Sequence, residues 1–352
     1  MRPVLAVAAG LLLTALVATG VTLAVLQFQS RTNPQQVNLQ PGVTISENSA
    51  IVQAAAKAMP AVVSVVTQET PQVIRGSGYL ATSDGYIVTN VNVISGASTM
   101  TVLIPGDTSL HAARLVDYDC QTGVAVIKID KVSGLPTLAF ADPNALVQGQ
   151  VIVAVGGPFE GGAVTPAYVS AMHRVVMIAD PANSERTAIF SDAILTNAAI
   201  DAGTSGGPML NVEAQVVGIA MASPAASTGG FGLNVADVQD DVQQILQTGQ
   251  VVVPSLGSST ILITADEASL IGIPEGSRVV TVDKNGPAGS IGILPGDVIT
   301  QLDDVKVDEA HPLELLLRSR FHPNQRVTVT YSRNGTSTQA ELTLASQHPT
   351  CA

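Results

Sequence analysis

Residues Asp201 to Pro208 have the sequence DAGTSGGP, and this segment is the most informative feature of the chain. Its glycines allow a tight turn and leave room for another molecule beside Ser205. A serine on such a turn can project its hydroxyl group while neighbouring backbone N–H groups point at an oxygen that gains negative charge. A plain glycine-serine turn has the same composition, so the flanking sequence must distinguish the two interpretations.

Short β-branched segments separated by turn residues flank this loop on both sides. They are residues 61–67, 78–82, 86–90, 100–104, 124–129, 151–155 and 216–221. Many short strands without intervening helices predict an antiparallel barrel or sandwich. The 31 glycines and 20 prolines agree with this prediction, since both residue types favour turns. Residues 46–59, before the strands, and residues 235–246, after them, have helical spacing.

Several further stretches follow the order seen in one known family. They are GSGYL at 76–80, DGYIVTN at 84–90, AVIKI at 125–129, VGGPF at 155–159, VSA at 169–171, TNAAI at 196–200 and VGI at 217–219. With them, residues from about 50 to 245 resemble the protease domain of the HtrA family, also called DegP-like. The resemblance implies an all-β, trypsin-like double β-barrel, and we assign this domain to residues 46–248.

The resemblance also implies a catalytic serine loop, but the histidine and the aspartate that act with the serine in the family are not found at their positions. Ser205 matches the nucleophile, and the backbone N–H groups of Gly203 and Ser205 match the oxyanion hole. The family's catalytic histidine is replaced by Asn92, and the aspartate that orients it is replaced by Gly123. An amide side chain cannot take a proton from a serine, and glycine has no side chain at all. Asn197 and the pair Asp201-Ala202 also depart from the family's pattern, so we expect a remodelled loop.

Another base could restore activity, and the sequence offers few candidates. The chain has five histidines, at positions 111, 173, 311, 322 and 348, and each of them lies outside the matching segment. His111 and His173 are the nearest alternatives, while Lys128 belongs to a strand that the resemblance points away from the site. In a comparable protease, losing the serine or the histidine costs roughly 10⁶ in turnover, and about 10³–10⁴ over water remains.

Three hypotheses therefore remain. The first is a pseudoprotease that binds unfolded proteins or protein C-termini. The second is an active serine endopeptidase of envelope protein quality control, with Ser205 as nucleophile and an unrecognised base. The third is slow esterase chemistry at Ser205 alone.

Residues 254–346 resemble a PDZ domain of the type that HtrA proteins carry. The resemblance rests on GPAG at 286–289 and GILPGDVI at 292–299, followed by a predicted helix over 312–320. PDZ domains bind a peptide C-terminus by strand addition, with backbone N–H groups on the carboxylate. The matching loop here is Leu256, Gly257 and Ser258, with residues 260–264 as the docking strand. Asn334-Gly335 suits a type I′ turn, although Asn334-Gly335-Thr336 is also a glycosylation sequon.

The N-terminus has the pattern of a membrane anchor. Arg2 precedes an uncharged, mostly apolar stretch from Pro3 to Phe28, which is close to the ~20 residues that span a bilayer. We predict a transmembrane helix over residues 1–29 and a polar linker over residues 30–45, with everything beyond them outside the cytoplasm. A cleaved signal peptide is the alternative, but its apolar region is usually shorter. A buried core helix fits poorly, because the segment has no polar face.

Composition narrows the range of partners. A net charge of −12 argues against nucleic acid. We expect no metal or other cofactor, because cysteines and histidines do not cluster at metal-ligand spacing. Cys120 and Cys351 either form a bridge, which is feasible outside the cytoplasm, or are two unrelated thiols. Family members often trimerise, and residues 40–60 are compatible with a homotrimer.

Overall fold

The computed structural model of the chain describes residues 17–22, 46–69, 72–179, 187–222 and 229–349. The chain divides into two compact units, Met1–Ser46 and Glu47–Ala352. Residues 17–22 are helical, and within the described ranges no helix is long and apolar enough to cross a membrane. The rest of the predicted anchor, and the whole predicted linker over residues 30–45, lie outside the described residues.

The first barrel follows an N-terminal helix. Its elements are α1 (Ser46–Ala58), a 3₁₀ turn (Met59–Ala61), β1 (Val62–Glu69), β2 (Gln72–Leu80), β3 (Tyr86–Asn90), α2 (Val91–Ile94), β4 (Thr99–Leu103), β5 (Leu110–Asp119) and β6 (Val124–Ile129). The strands close in the order β1-β2-β3-β6-β5-β4. All six residues of β6 are buried.

The second barrel contains the serine loop between two of its strands. Its elements are β7 (Val151–Val155), a 3₁₀ turn (Pro158–Glu160), β8 (Val164–Ala179), β9 (Thr187–Thr196), β10 (Pro208–Leu210), β11 (Val216–Met221) and β12 (Gly230–Asn234). These strands close in the order β10-β11-β12-β9-β8-β7. Two closed six-stranded barrels in sequence confirm the predicted double barrel. Residues 197–207 connect β9 to β10, and the serine loop within this connection lies where the two barrels meet.

Helix α3 (Val235–Thr248) closes the double barrel. The Asn234 side chain accepts a hydrogen bond from the Ala236 N–H at the start of the helix, and Gly249, with φ +82°, ends it. Val238, Val242 and Ile245 face inward and join the core that the first barrel and part of the second share.

A sheet with short helices follows. Its elements are β13 (Val253–Ser255), β14 (Ser258–Ile263), α4 (Ala265–Ile271), β15 (Gly276–Val282), α5 (Pro287–Ser290), β16 (Val298–Leu302), β17 (Val305–Lys306), α6 (Leu313–Arg320), β18 (Arg326–Arg333), β19 (Thr336–Thr343) and β20 (Ala345–Gln347). The sheet order is β14-β15-β16-β18-β19, with β17 on β16, and β13 pairs separately with β20.

This second domain has its own core and one edge suited to strand addition. Leu256, Ile299, Leu316 and Val329 are among its buried residues. The predicted docking strand over 260–264 falls mostly within β14, which is an edge of the sheet. Asn334 and Gly335 join β18 to β19 with φ of +50° and +80°, as a type I′ turn requires. This arrangement confirms a PDZ-type domain after the double barrel.

Candidate functional site

The serine loop is held between the two barrels by its backbone. The Ser77 N–H of the first barrel donates to the Ser205 carbonyl oxygen at 2.8 Å, and the Ser77 hydroxyl donates to the Gly203 carbonyl oxygen at 2.6 Å. From the second barrel, the Gly206 N–H donates to the Ala220 carbonyl oxygen at 2.8 Å. The loop therefore joins the barrels as well as carrying the serine.

Gly206 is required at its position by sterics. Its φ is +84°, and a Cβ there would lie 2.3 Å from the Ser77 carbonyl oxygen and 2.3 Å from Thr89 Oγ1. Gly207 is equally confined, because its Cβ would lie 2.3 Å from the Val155 carbonyl oxygen. Since no side chain fits at such distances, packing alone accounts for both glycines.

Two hydrogen-bond donors hold the Ser205 hydroxyl. Asn90 Nδ2 donates to Ser205 Oγ at 2.8 Å and to the Ala220 carbonyl oxygen at 3.0 Å. The Ala222 N–H donates to the same Ser205 Oγ at 3.2 Å. Ser205 is 4% exposed and Asn90 is fully buried. An amide side chain and a backbone N–H cannot accept the serine proton, so these contacts orient the hydroxyl without activating it.

Asn92, at the position predicted for the histidine, makes its contact with Met221 and not with Ser205. Its Nδ2 donates to Met221 Sδ at 3.1 Å, and the residue is exposed. Asn90, two residues earlier, is the one that reaches Ser205. No sequence pattern predicts this contact, because Asn90 also has a local role that accounts for an asparagine at this position. Its Oδ1 accepts from the Val93 N–H at 3.1 Å and so caps helix α2.

Gly123, at the position predicted for the aspartate, has side chains of other residues packed directly beside it. Its φ is +82°, and a Cβ there would lie 2.6 Å from the Phe190 ring and 3.2 Å from two methyl carbons of Leu233. Residues around it are held by Asp119, whose Oδ1 accepts from the N–H groups of Gln121 and Thr122 at 2.7 and 3.4 Å. The second barrel therefore fills the volume that an acid side chain would need.

The predicted oxyanion hole is not assembled in this structure. The Ser205 N–H, one of the two predicted donors, donates to the Asp201 carbonyl oxygen at 3.0 Å. The Thr204 N–H donates to Asp201 Oδ1 at 2.7 Å, so Asp201 closes the turn with both its carboxylate and its carbonyl group. Gly203 is buried, and its carbonyl oxygen is bound by Ser77 as described above. In this arrangement the Ser205 N–H is used within the turn, so it would have to leave the Asp201 carbonyl oxygen before it could donate to a substrate oxygen.

The alternative bases are engaged with carboxylates elsewhere. His111 Nε2 lies 2.7 Å from Asp107 Oδ2, and His173 Nδ1 lies 2.9 Å from Asp192 Oδ1. Lys128 binds Asp84, 3.0 Å away at Oδ2. None of these contacts involves Ser205.

The predicted peptide loop occupies the start of the edge strand. Gly257 has φ +69°, and its N–H donates to Ser255 Oγ at 3.0 Å. The Leu256 carbonyl oxygen accepts a hydrogen bond from the Ala288 N–H at 2.8 Å. Leu256 itself is buried in the core of this domain. Ser258 Oγ is buried and has no hydrogen-bond partner among the described residues. The loop is thus adjacent to β14, as strand addition requires, with one N–H already bonded to Ser255.

Metal ligands do not gather at either location. Within the described ranges, no group of three or more histidine, cysteine, aspartate or glutamate side chains is arranged to hold a metal ion.

Comparisons with known proteins agree with the two-domain architecture. A trypsin-like peptidase domain model matches residues 76–219, and a PDZ domain model matches residues 232–344. The crystal-structure neighbours include the HtrA-type protease AlgW with a decapeptide, at TM-score 0.69 and 28% identity, over 85% of this chain and 99% of that one.

Curated relatives show the same family. A probable periplasmic serine endoprotease, DegP-like, from Halomonas elongata is 34% identical over 276 residues, covering 76% of this chain and 56% of the relative. The chain thus spans a little over half the length of that relative. The serine protease Do-like HtrA of Lactococcus lactis is 33% identical over 291 residues, covering 77% of this chain and 70% of that protein. Identity, coverage and domain order together show that the chain belongs to the HtrA family of trypsin-like serine proteases with a C-terminal PDZ domain.

Proposed function

We propose that the chain is a membrane-anchored HtrA-type pseudoprotease that binds unfolded proteins or protein C-termini in envelope protein quality control. One observation carries the proposal. Ser205 Oγ accepts hydrogen bonds from Asn90 Nδ2 and the Ala222 N–H, and both groups are donors. A serine without a base in hydrogen-bond reach is a weak nucleophile.

Binding is assigned to the edge of the PDZ sheet. Strand β14 ends the sheet, so a peptide can add to it by backbone hydrogen bonds. Ile261 on this strand is 52% exposed, which offers apolar contact beside the backbone groups. The loop Leu256-Gly257-Ser258 would receive the terminal carboxylate, with the Gly257 N–H leaving Ser255 Oγ to do so.

The anchor and the extracytoplasmic location rest on the apolar N-terminal stretch. Residues 3–28 carry no charge, and the Halomonas relative is named as periplasmic. A homotrimer through residues 40–60 belongs to the same proposal, and light scattering of the purified protein measures it.

The competing function is an active serine endopeptidase with an unrecognised base. Family membership and the retained Ser205 favour it. Digestion of β-casein by the full-length chain, with Ser205→Ala in parallel, separates the two functions. We expect neither protein to cut casein. Cleavage by the parent and not by Ser205→Ala would overturn the proposal and direct the search for a base to His111 and His173.

Binding is tested separately with a fluorescent peptide that has an apolar C-terminus. The matched control is the same peptide with an amidated C-terminus, which lacks the carboxylate charge. We expect the free-acid peptide to bind at least ~10-fold more tightly. Equal affinity of the two peptides would contradict C-terminal recognition by the PDZ domain.

A further inference from the structure

Helix α6 of the PDZ domain reaches into the double barrel with one arginine. Arg318 donates to both carboxylate oxygens of Asp241 at 2.9 Å and also binds the Asp119 carboxylate. A second Arg318 nitrogen donates to Gln121 Oε1 at 3.1 Å. The Asp119 side chain is fully buried and that of Asp241 is 9% exposed. Buried carboxylates are costly without a counter-charge, so Arg318 makes this contact favourable.

The end of the chain binds the same part of the double barrel. His348 follows β20, and its Nε2 lies 2.8 Å from Asp117 Oδ1. Its ring meets the Tyr118 ring edge-on, with centroids 6.0 Å apart. The other Asp117 oxygen accepts the Val251 N–H at 2.6 Å, directly before the PDZ domain begins. Both ends of the PDZ domain thus meet at the end of β5.

Cys120 lies between these contacts and is disulfide-bonded. The sequence has one other cysteine, Cys351, which lies outside the described residues. His348 precedes Cys351 by three positions, and Asp117, its partner, precedes Cys120 by three positions.

We propose that residues 117–123, the docking loop, hold the PDZ domain against the double barrel through the Arg318 ion pairs and a Cys120–Cys351 disulfide. The PDZ domain is then a fixed part of the protease-like body and does not swing on residues 249–252. The docking loop ends at Gly123, the position where the family resemblance predicts the catalytic aspartate. The segment around that position therefore also attaches the peptide-binding domain. This inference does not depend on catalysis or on peptide binding.

The covalent part is tested by cutting the chain between the domains. A specific protease site is inserted between Gly249 and Gln250, which are both exposed, in the full-length chain. After cleavage, we expect one band on a non-reducing denaturing gel. A dithiol should then give two bands, since it donates two electrons, opens the S–S bond to two thiols and becomes a cyclic disulfide. Cys351→Ser should give two bands without any dithiol. Two bands from the oxidised parent would overturn the covalent link.

The ionic part is tested in the cleaved Cys351→Ser protein under native conditions. We expect the two fragments to co-elute on size exclusion, and Arg318→Gln to raise their dissociation constant at least ~10-fold. Arg326→Gln is the matched control, because Arg326 forms an exposed ion pair with Glu341 within the PDZ domain. Equal effects of the two substitutions would overturn the role of Arg318.

A folding defect is distinguished by one further variant. Arg318→Gln leaves two carboxylates buried without their counter-charge, which can destabilise the barrel itself. The double variant Arg318→Gln/Asp241→Asn removes one of those charges. We expect it to recover the unfolding temperature lost in Arg318→Gln while the fragments still separate. Recovery of both stability and co-elution would contradict the docking role.

Discussion

The serine loop keeps the sequence of the family, whereas the two segments expected to support it, around Asn92 and Gly123, depart from that sequence. The loop keeps its family sequence from Gly203 to Pro208, and the backbones of both barrels bind it. At the supporting positions, Asn92 contacts Met221 and the space beside Gly123 holds Phe190. The loop glycines fit their positions for reasons of packing. Packing alone can therefore retain a serine loop of this kind, and the residues at positions 92 and 123 bear more directly on catalysis.

The largest expected effect is at the packed glycines. Gly206→Ala should destabilise the fold by about 3–5 kcal/mol, because φ is positive and the new Cβ meets backbone oxygen. Gly249→Ala is the matched control, with φ +82° and open space around it, and should cost about 1 kcal/mol. Urea unfolding of both variants measures the difference. Similar losses would show that contact between the barrels does not confine the loop.

Restoring the acid should fail on steric grounds. Gly123→Asp should cost about 2–4 kcal/mol, because the Phe190 ring and Leu233 occupy the volume beside it. Gly134→Asp has φ +68° and no atom within 4 Å, so it controls for backbone strain alone. Thermal unfolding compares the two variants. If Gly123→Asp were the milder change, the second barrel would not be filling the acid site.

Replacing Asn90 should lower the stability of the fold more than replacing Asn92. Asn90→Ala removes a buried side chain that binds Ser205 Oγ, the Ala220 carbonyl oxygen and the Val93 N–H, so we expect a loss of about 1–3 kcal/mol. Asn92→Ala removes an exposed side chain and should change stability by less than about 0.5 kcal/mol. Denaturant titration of the pair tests whether Asn90 has become the structural partner of the serine. An equal loss at Asn92 would refute that assignment.

The smallest expected effect is a pH dependence at the docking loop. Burial raises the pKa of Asp241 to about 7. The positive charge of Arg318 lowers this pKa, and the negative charge of Asp119 raises it further. Burial, together with the charges of Asp192 and Asp240, raises the pKa of Asp237 on the same helix to about 6. The folded protein therefore holds more protons than the unfolded chain between about pH 4 and these values.

Stability should consequently fall as the pH rises through that window. The contribution is fully present below about pH 4 and is lost once Asp241 ionises near pH 7. His348 acts in the same direction, because its hydrogen bond to Asp117 raises its pKa, and that gain is lost as pH rises. Asp241→Asn should reduce the decline between pH 5 and pH 8 by about 1–2.5 kcal/mol. Unfolding midpoints at four pH values measure it, and identical profiles for the two proteins would contradict this assignment.

Local features of the sequence predicted the architecture well. Turn glycines, short strands and the order of the motifs indicated both barrels, and the helix predicted over 312–320 spans Leu313–Arg320 in the structure. Asn334-Gly335 formed the predicted turn, because both residues tolerate positive φ. These signals act over a few residues, so one sequence is enough to detect them.

The site details depended on residues that are distant in the chain. Asn90 reaches Ser205, Phe190 fills the space at Gly123, and Arg318 binds Asp119 and Asp241. None of these contacts has a sequence spacing that would predict it, since they arise from packing between strands and between domains. The Asp201 turn that uses the Ser205 N–H had a partial signal, namely the departure of Asp201-Ala202 from the family's pattern.

The most direct test of the account is whether Ser205 is an activated nucleophile. A fluorophosphonate probe reacts with serine hydroxyl groups that a base activates, and peptide mass spectrometry locates the label. Ser205→Ala, treated in parallel, identifies labelling at other sites. We expect Ser205 in the parent to be labelled no faster than exposed serines elsewhere in the chain. Rapid, stoichiometric labelling of Ser205 that disappears in Ser205→Ala would contradict it.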